Sequence, residues 1–431
     1  MNGVAEVAII RRSWRGAAGL ALLALLAALV GVHPAALGPL LHTVPVGHGP
    51  AALALDARTG RAFVTNRFDD SVTVLETRGG RVLRTVAVGQ FPAALAVDAP
   101  TGHVFVANRA DNTVSMLDVG SGTVLRTVPV VTDPIALAVD ERRQRVVVLS
   151  GNHVGAATLS LLDARSGGVL RTLAVGLVPT AVAVDARSGH ALVLDVGEDS
   201  VHVLETATGR LLRTTLLGRG PVAVAVDGRT QRAFVSNNGD KSVSVLDTHS
   251  GTVLRTVATG HTPTALAVDA QAGRVVVLNS GDGTVSLLVA PAGTVQRSVA
   301  MDAVPLLDLV VDERRSRAFV LSASAGAGRD QHAQGRVSVL DTRRGVVLGH
   351  VAVGQAASTL ALDATTQHLF VLNQHVADAT PDLPGLGRLC APETAAWAAR
   401  WVPGWLPWLL PRCPAIPTRR GSVTVLDAAR L

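Results

Sequence analysis

The stretch PAALAVDAPTGHVFVANRADNTVSMLDVGSGTVLRTVPV, residues 92–130, decides the fold because its pattern returns along the whole chain. It contains four short phrases rich in apolar and β-branched residues: PAALAVD, HVFVAN, TVSMLD and VLRTVPV. Gly, Asp, Asn and Ser stand between them, and these residues favour turns. Strand-like phrases about ten residues apart are typical of all-β domains. Each copy of the pattern is therefore predicted to form one four-stranded sheet.

The first phrase, of the form P-x-A-L-A-V-D, recurs with a period of about 42 residues, which is the length of one β-propeller blade. Its copies end at eight aspartates: Asp56, Asp98, Asp140, Asp185, Asp227, Asp269, Asp312 and Asp363. We therefore predict an all-β protein, a single β-propeller of eight four-stranded blades. Seven blades plus an irregular eighth unit is the alternative.

The four phrases also differ in polarity, which orders them from the centre of the ring outward. ALAV carries no charge and is apolar on both faces, as a strand between neighbouring blades requires, so it is predicted to be innermost. VLRTV carries an arginine at the same place in six copies, and a charge on an exposed edge strand blocks pairing with other molecules. This phrase is therefore predicted to be outermost. The six arginines are Arg84, Arg126, Arg171, Arg213, Arg255 and Arg297.

The two ends of the repeat array complement each other. The phrase nearest the N-terminus is LLHTVPVG (Leu40 to Gly47), which has the pattern of a fourth strand but follows no blade. The last is SVTVLD (Ser422 to Asp427), a third strand without a fourth after it. Pairing them would complete the last blade and leave neither end of the array without a partner strand. We therefore predict that the N-terminal strand completes the C-terminal blade and closes the ring.

The second and third phrases resemble a known family. FVTN (Phe63 to Asn66), FVAN (Phe105 to Asn108), FVSN (Phe234 to Asn237) and SVSVLDT (Ser242 to Thr248) are similar to the repeats of the YVTN-repeat, YncE-like bacterial β-propellers. The resemblance covers about residues 40 to 431, and the chain departs from it in having Phe in place of the family's Tyr. It implies a propeller that is secreted or attached to the cell surface, without catalytic residues in the repeat itself.

The N-terminal segment has the composition of an export signal. Arg11, Arg12 and Arg15 precede an apolar run over residues 17–32, which fits a charged region followed by a hydrophobic region. We predict that residues 1–36 form an export signal or an N-terminal membrane anchor and that residues 37–431 form the propeller. The protein is accordingly expected in the periplasm or at the cell surface.

Charge and motif content narrow the function classes. The net charge is +6, and Lys241 is the only lysine. The arginines repeat around the ring and the chain has no Tyr, so nucleic acid, which proteins bind with basic grooves and aromatic platforms, is disfavoured as a partner. Motifs for covalent haem, zinc proteases, nucleophile elbows and phosphate loops are missing from the sequence. We therefore predict no catalytic residue, no metal ligand and no cofactor.

The predicted binding site follows from where the repeats vary. Connections between second and third strands are enlarged at residues 151–157, 323–335 and 376–421. In a four-stranded meander these connections share a face with the segments that precede each innermost strand, and varied loops on a regular scaffold usually serve recognition. The predicted ligand-binding residues at this channel mouth are His48, Phe91, Asp133, Arg219, His261, Asp302 and Gln355.

The insertion at residues 376–421 has a composition of its own. It holds both cysteines, Cys390 and Cys413, which in an exported protein predict a disulfide. It also holds four tryptophans that either pack on the propeller, cover the channel mouth as a lid, or contact a membrane surface or a partner: Trp397, Trp401, Trp405 and Trp408.

Three classes of function fit this sequence. The leading hypothesis is a non-enzymatic binding or scaffold propeller outside the cytoplasm, with a protein, a small molecule or an envelope polymer as its ligand. The second is a propeller enzyme, either a lactonase-like hydrolase or a haem-d nitrite-reductase-like oxidoreductase. The third is a binder of nucleic acid or envelope polymer. Membrane contact is expected only through the N-terminal segment or the tryptophan loop.

Overall fold

The computed structural model describes residues 40–151, 157–290, 292–301, 305–324, 334–374 and 420–431. Within these ranges the chain forms thirty-two strands in eight four-stranded antiparallel sheets, and no helix. The prediction of eight blades is confirmed, and the alternative of seven blades plus an irregular unit is wrong.

The strands of the first four blades follow one another from the channel outward. Blade 1 comprises β2 (Pro50–Asp56), β3 (Arg61–Asn66), β4 (Ser71–Glu76) and β5 (Val82–Ala87). Blade 2 comprises β6 (Pro92–Asp98), β7 (His103–Asn108), β8 (Thr113–Asp118) and β9 (Val124–Pro129). Blade 3 comprises β10 (Pro134–Asp140), β11 (Arg145–Ser150), β12 (Thr158–Asp163) and β13 (Val169–Ala174). Blade 4 comprises β14 (Pro179–Asp185), β15 (His190–Asp195), β16 (Ser200–Glu205) and β17 (Arg210–Leu216).

The remaining blades repeat this order, except that the last takes its outer strand from the start of the chain. Blade 5 comprises β18 (Pro221–Asp227), β19 (Arg232–Asn237), β20 (Ser242–Asp247) and β21 (Val253–Ala258). Blade 6 comprises β22 (Pro263–Asp269), β23 (Arg274–Asn279), β24 (Thr284–Val289) and β25 (Thr294–Ala300). Blade 7 comprises β26 (Leu306–Asp312), β27 (Arg317–Ser324), β28 (Gln334–Asp341) and β29 (Val346–Gln355). Blade 8 comprises β30 (Ala357–Asp363), β31 (His368–Asn373), β32 (Ser422–Asp427) and β1 (Leu40–Pro45).

The ring closes as predicted. β1 pairs antiparallel with β32, with Thr43 opposite Thr424 and Val44 opposite Val423. The innermost strand of each blade contacts that of the next, and β30 contacts β2. Val46 packs in one cluster with Val423 and Val425, so closure buries apolar side chains as well as pairing an edge.

Burial is greatest in the middle of each blade. The second and third strands are buried along almost their whole length, and the five phenylalanines of the second strands are fully buried between blades. The fourth strands are exposed, as predicted. The innermost strands are half-buried because they face the central channel, and one of them breaks the expected absence of charge. Asp308 lies within β26, where the other blades have an apolar or hydroxyl side chain.

Polar side chains join neighbouring blades. In blades 3, 4 and 6 the buried aspartate that ends the innermost strand accepts a hydrogen bond from a threonine of the next blade, as in Thr248 Oγ1 to Asp185 Oδ2 at 2.5 Å. The outer-strand arginines reach the next blade too: Arg171 donates to the carbonyl of Thr208 at 3.0 Å. These arginines therefore tie the rim together, in addition to protecting the edge.

Candidate functional site

The two ends of the propeller differ in which connections form them. The upper face consists of the second-to-third and fourth-to-first connections, which bond to one another: the amide of Arg67 donates to the carbonyl of Gly49, and that of Arg109 to Phe91. The lower face consists of the first-to-second and third-to-fourth turns. The predicted channel-mouth segments and the enlarged connections that begin after Ser150 and Asn373 share the upper face.

Most blades build the rim of the upper face in the same way. In blade 1 the buried amide of Asn66 donates to Ser71 Oγ at 3.0 Å and to Thr73 Oγ1 at 2.9 Å. Its carbonyl oxygen accepts the amide N–H of Gly47, and Asp69 Oδ2 accepts the amide N–H of His48 at 2.8 Å. This arrangement ties the connection from the previous blade onto the third strand. Blades 2, 5 and 6 repeat the same contacts between asparagine and hydroxyl groups.

The predicted channel-mouth residues are distributed around the ring and do not converge on one point. His48 is held by Asp69, with 2.6 Å between Nδ1 and Oδ1. Exposed side chains also stand at Arg219, between blades 4 and 5, and at His261, between blades 5 and 6, and both residues are anchored through their backbone amides. Gln355 is exposed at the end of the outer strand of blade 7. Their role as ligand-binding residues stays a prediction. Asp302 lies outside the described residues.

The predicted residues Phe91 and Asp133 take part in a cluster that the sequence did not reveal. The Arg67 guanidinium lies 4.8 Å above the ring of Phe91, and Phe68 meets the same ring edge-on at 6.1 Å. Arg109 forms a bidentate ion pair with Asp133, in which Nη2 and Oδ2 are 3.1 Å apart. We call Arg67, Phe68, Phe91, Arg109 and Asp133 the mouth cluster. It spans blades 1 to 3.

The two arginines of the mouth cluster differ electrostatically. The hydrogen bond with Asp133 raises the pKa of Arg109. Burial, followed by the nearby charge of Arg109, lowers the pKa of Arg67. No carboxylate among the described residues pairs with Arg67, so a partly desolvated cation stands beside the exposed ring of Phe68. A guanidinium in this position favours an anionic group on a ligand.

A second group, in blade 4, was missed by the sequence analysis, which predicted no metal ligand. Asp195, Glu198 and His202 bring one carboxylate or imidazole atom each to within 4.8 Å of one another. They stand where blade 1 has Asn66, Asp69 and Thr73. Comparing the repeats position by position would have revealed this substitution, because blade 4 alone has a histidine in the third strand at this place.

The channel wall holds a third unexpected side chain. Asp308 Oδ2 accepts hydrogen bonds from Thr359 Oγ1 at 2.6 Å and from the amide of Leu360 at 2.9 Å. Burial nevertheless raises the pKa of this carboxyl group. Its partners lie in blade 8, so Asp308 joins two blades within the wall.

The lower face has cavities of its own. One, of about 380 Å³, spans blades 3, 4 and 5 and is lined by Arg142, Arg187 and Arg229. Another, of about 440 Å³, lies between blades 8 and 1. On the same face burial, together with the nearby carboxylates of Asp98 and Asp56, raises the pKa of Glu141.

Several predictions fall on residues that the structure does not describe: the segment 1–36, most of the insertion 376–421, the disulfide between Cys390 and Cys413, and the tryptophans Trp397, Trp401, Trp405 and Trp408. Within the described ranges, no helix is long and apolar enough to cross a membrane.

The geometry defines the class of protein: an eight-bladed β-propeller with a closed ring and a varied upper face. A family model described as a YNCE-like beta-propeller matches residues 18–206, and this match confirms the resemblance to YncE-like propellers. No curated protein matches this chain significantly.

Solved structures share the fold at low sequence identity. BamB from Moraxella catarrhalis has a TM-score of 0.57 and 15% identity, over 78% of this chain and 96% of BamB. A functionally unknown protein from Desulfotomaculum acetoxidans has a TM-score of 0.53 and 17% identity, over 70% of this chain and 99% of that one. Dihydro-heme d1 dehydrogenase NirN, in complex with DHE, has a TM-score of 0.58 and 15% identity, over 78% of this chain and 73% of NirN. At such identities the likeness concerns the fold alone.

Proposed function

We propose that this protein is an exported, non-enzymatic binding propeller that holds its ligand on the upper face, over the mouth cluster. The observation that carries the proposal is the arrangement of Arg67, which stacks on Phe91 without a carboxylate partner among the described residues, next to Phe68, which is 54% exposed. A buried or half-buried charge is costly unless it is paired. A ligand that combines an anionic group with an apolar or aromatic one would supply both the pair and the stacking surface.

The mouth cluster also has the architecture of a recognition site. The side chains come from three successive blades on a rigid ring, so their spacing is set by the scaffold and little order is lost on binding. The ion pair between Arg109 and Asp133 holds the second cation in place, while Arg67 stays available. This division suits the binding of an anion, because Asp133 already neutralises Arg109 whereas Arg67 has no carboxylate partner among the described residues.

The position of the insertion at residues 376–421 also favours the upper face as the binding site. Its two ends bond to upper-face segments: the amide of Gln374 donates to the carbonyl of Ala356, and that of Gly421 to Gly47, next to His48. The insertion therefore leaves and re-enters the ring at the channel mouth. We propose that its tryptophans act above the bound ligand.

A hydrophobic anion tests this site directly. 8-Anilinonaphthalene-1-sulfonate combines a sulfonate with aromatic rings, and its fluorescence rises on binding. Arg67→Gln and Phe68→Ser should each weaken its affinity about tenfold, the equivalent of about 1.4 kcal/mol. The matched control, Arg187→Gln on the lower face, should leave the affinity unchanged. If Arg187→Gln alone weakened binding, the site would lie in the lower cavity.

Removal of residues 381–411 tests the insertion. We expect the shortened protein to stay folded, because the four strands of blade 8 are formed by residues other than these, and to bind the probe with altered affinity. Equal affinity in the shortened protein, together with no effect of Arg219→Ala or His261→Ala, would contradict a role for the channel mouth.

Export rests on the composition of residues 1–36 and on the confinement of both cysteines to one insertion. Protein recovered from the cell envelope and labelled under denaturing, non-reducing conditions should have no free thiol, because Cys390 and Cys413 are expected to be oxidised to each other. Two labelled thiols would contradict the proposal of an oxidising compartment.

A further inference from the structure

Blade 4 departs from the rim chemistry of the other blades at three positions at once. Where five blades have an asparagine at the end of the second strand and two have a serine, blade 4 has Asp195. Where every other blade has Ser or Thr in the third strand, blade 4 has His202. Glu198 replaces the aspartate that stands at this place in blade 1. An amide and a hydroxyl group are thus replaced by a carboxylate and an imidazole, while the third position keeps its carboxylate on a longer side chain.

The backbone hydrogen bonds around Asp195 differ from those around Asn66, the corresponding residue of blade 1. This carboxylate is fully buried and accepts amide hydrogen bonds from Gly197 at 2.7 Å and Glu198 at 3.1 Å, besides those from Leu177 and Val178. The amide of Leu177 occupies the place of the His48 amide, which in blade 1 bonds to Asp69. Because Asp195 takes this amide as well, the carboxylate of Glu198 is left free to lie beside His202.

His202 points its unpaired nitrogen into this group. The side chain is 6% exposed, and Nδ1 lies 2.9 Å from Thr214 Oγ1. Nε2 is buried without a hydrogen-bond partner, 3.5 Å from Glu198 Oε2 and 3.8 Å from Asp195 Oδ2. These separations are too long for hydrogen bonds. They suit three ligands of one metal ion, whose donor atoms stand about 3.4 Å apart when each bond is about 2.1 Å long.

The space in front of the three atoms is kept open by glycine. Gly176 has φ +63°, and a Cβ there would lie 1.7 Å from Asp195 Oδ2 and 2.8 Å from His202 Nε2. Any larger residue would fill the position that a metal ion needs. The corresponding glycine of blade 1, Gly47, is equally confined, since a Cβ there would lie 2.5 Å from Asn66 Cγ and from Asp69 Oδ2, but in blade 1 the positive φ is at Gly49, two residues further along. In blade 4 the atoms that the glycine leaves room for are those of the carboxylate and the imidazole.

We propose that Asp195, Glu198 and His202 bind one divalent transition-metal ion, with Zn²⁺ as the probe. Two carboxylates balance the charge of the ion, and an imidazole nitrogen favours a transition metal over Mg²⁺ or Ca²⁺. Thr214 accepts the Nδ1 proton and so fixes the tautomer in which the lone pair of Nε2 faces the ion. Three protein ligands leave at least one coordination position open toward the upper face, where Glu198 is partly exposed.

Equilibrium dialysis of the full chain, without an affinity tag and after treatment with a chelator, measures this site. The wild type should hold one equivalent of Zn²⁺ more than His202→Thr, which restores the residue of blade 1. Thr214→Val should weaken the binding by about 10-fold to 100-fold. The matched control is His249→Asn, which removes an exposed histidine that stacks on His190 and should leave the stoichiometry unchanged.

A second variant keeps the test decisive if the single substitution fails to fold. A triple variant copies the rim of blade 1 by combining Asp195→Asn, Glu198→Asp and His202→Thr. Without metal, it should unfold at the same temperature as the wild type. It should lack the extra equivalent of Zn²⁺ that the wild type holds. Co²⁺ absorption bands in the visible range, present in the wild type and missing in the triple variant, should report the same ligands. Equal Zn²⁺ and Co²⁺ binding by the wild type and the triple variant would overturn the proposal.

Discussion

The lower face and the upper face of this propeller are built from the same repeats but differ in how strictly they repeat. On the lower face every innermost strand ends in a buried aspartate, and the following turns keep one form. On the upper face the corresponding positions hold the mouth cluster in blades 1 to 3, the group of Asp195, Glu198 and His202 in blade 4, and the enlarged connections. The difference teaches that the lower face carries the stability of the ring and leaves the upper face free to vary.

The largest effect should come from reopening the ring. A chain shortened to begin at residue 47 lacks β1, so β32 becomes an unpaired edge and Val423 and Val425 lose their apolar contacts. We expect a loss of about 4 kcal/mol or more in the free energy of unfolding, in a single cooperative transition followed by urea denaturation. A chain that lacks only residues 1–36 keeps β1 and should match the full-length protein. Equal stability of both shortened chains would contradict closure by β1.

The next effect concerns the polar ties of the lower face. Thr248→Val removes the hydroxyl donor of the buried Asp185 and should lower the free energy of unfolding by about 2 kcal/mol, because the carboxylate is left without one of its partners. Urea denaturation measures the loss. Thr256→Val, on the exposed outer strand of the same blade, is the matched control and should have an effect within about 0.5 kcal/mol. Equal losses would show that the hydroxyl of Thr248 has no special role.

A smaller effect of opposite sign is expected where such a tie is missing. Asp98 is buried, and the residue that would carry the threonine in the next blade is Ala164. Ala164→Thr should raise the free energy of unfolding at pH 7 by about 1 kcal/mol, because the added hydroxyl can donate to the ionised carboxylate.

This gain should depend on pH. Burial raises the pKa of Asp98, so its contribution to stability is full below the pKa of the unfolded chain and is lost as the pH rises through the folded pKa. A donor to the ionised form offsets that loss, so the gain from Ala164→Thr should be present at pH 7 and shrink as the pH falls toward 4. Urea denaturation at both pH values measures it; a gain independent of pH would point to packing.

The smallest effects on stability belong to the upper face. Arg219→Ala and His261→Ala alter exposed side chains whose anchoring contacts are made by the backbone, so each should change the free energy of unfolding by less than about 0.5 kcal/mol. Thermal unfolding of both variants beside the wild type provides the measurement. A loss comparable to that of Thr248→Val would mean that both faces carry the scaffold.

The sequence predicted the fold because the four strands of a blade come from one contiguous stretch of the chain, so the repeat is visible in the sequence. The phrases of residues 92–130, and the complementary ends at Leu40 to Gly47 and Ser422 to Asp427, depend only on local pattern and on counting. The site was predicted less well because it forms between blades. Phe91 was identified from the sequence, but Arg67 lies over its ring only because two blades pack together. Neither Arg67 nor Phe68 belongs to a sequence pattern that predicts this contact.

The group in blade 4 and the channel-wall carboxylate show a second limit. Asp195, Glu198 and His202 lie on two strands and the turn between them, and no ligand spacing within one element connects them. Asp308 was overlooked because the innermost phrase was described by its commonest form. In both cases the signal was a departure from the repeat, which is visible only when the copies are aligned with one another.

The closure of blade 8 has a consequence for how the protein acquires its structure. Thr43 and Thr424 face each other across 381 positions of the chain. While the chain is being synthesised or transported, blades 1 to 7 can each form from a contiguous stretch, but β1 has no partner until β32 emerges. Contacts so distant in sequence form slowly. The final blade is therefore expected to form last, because a chain truncated before Ser422 leaves β1 and β31 without the strand that joins them.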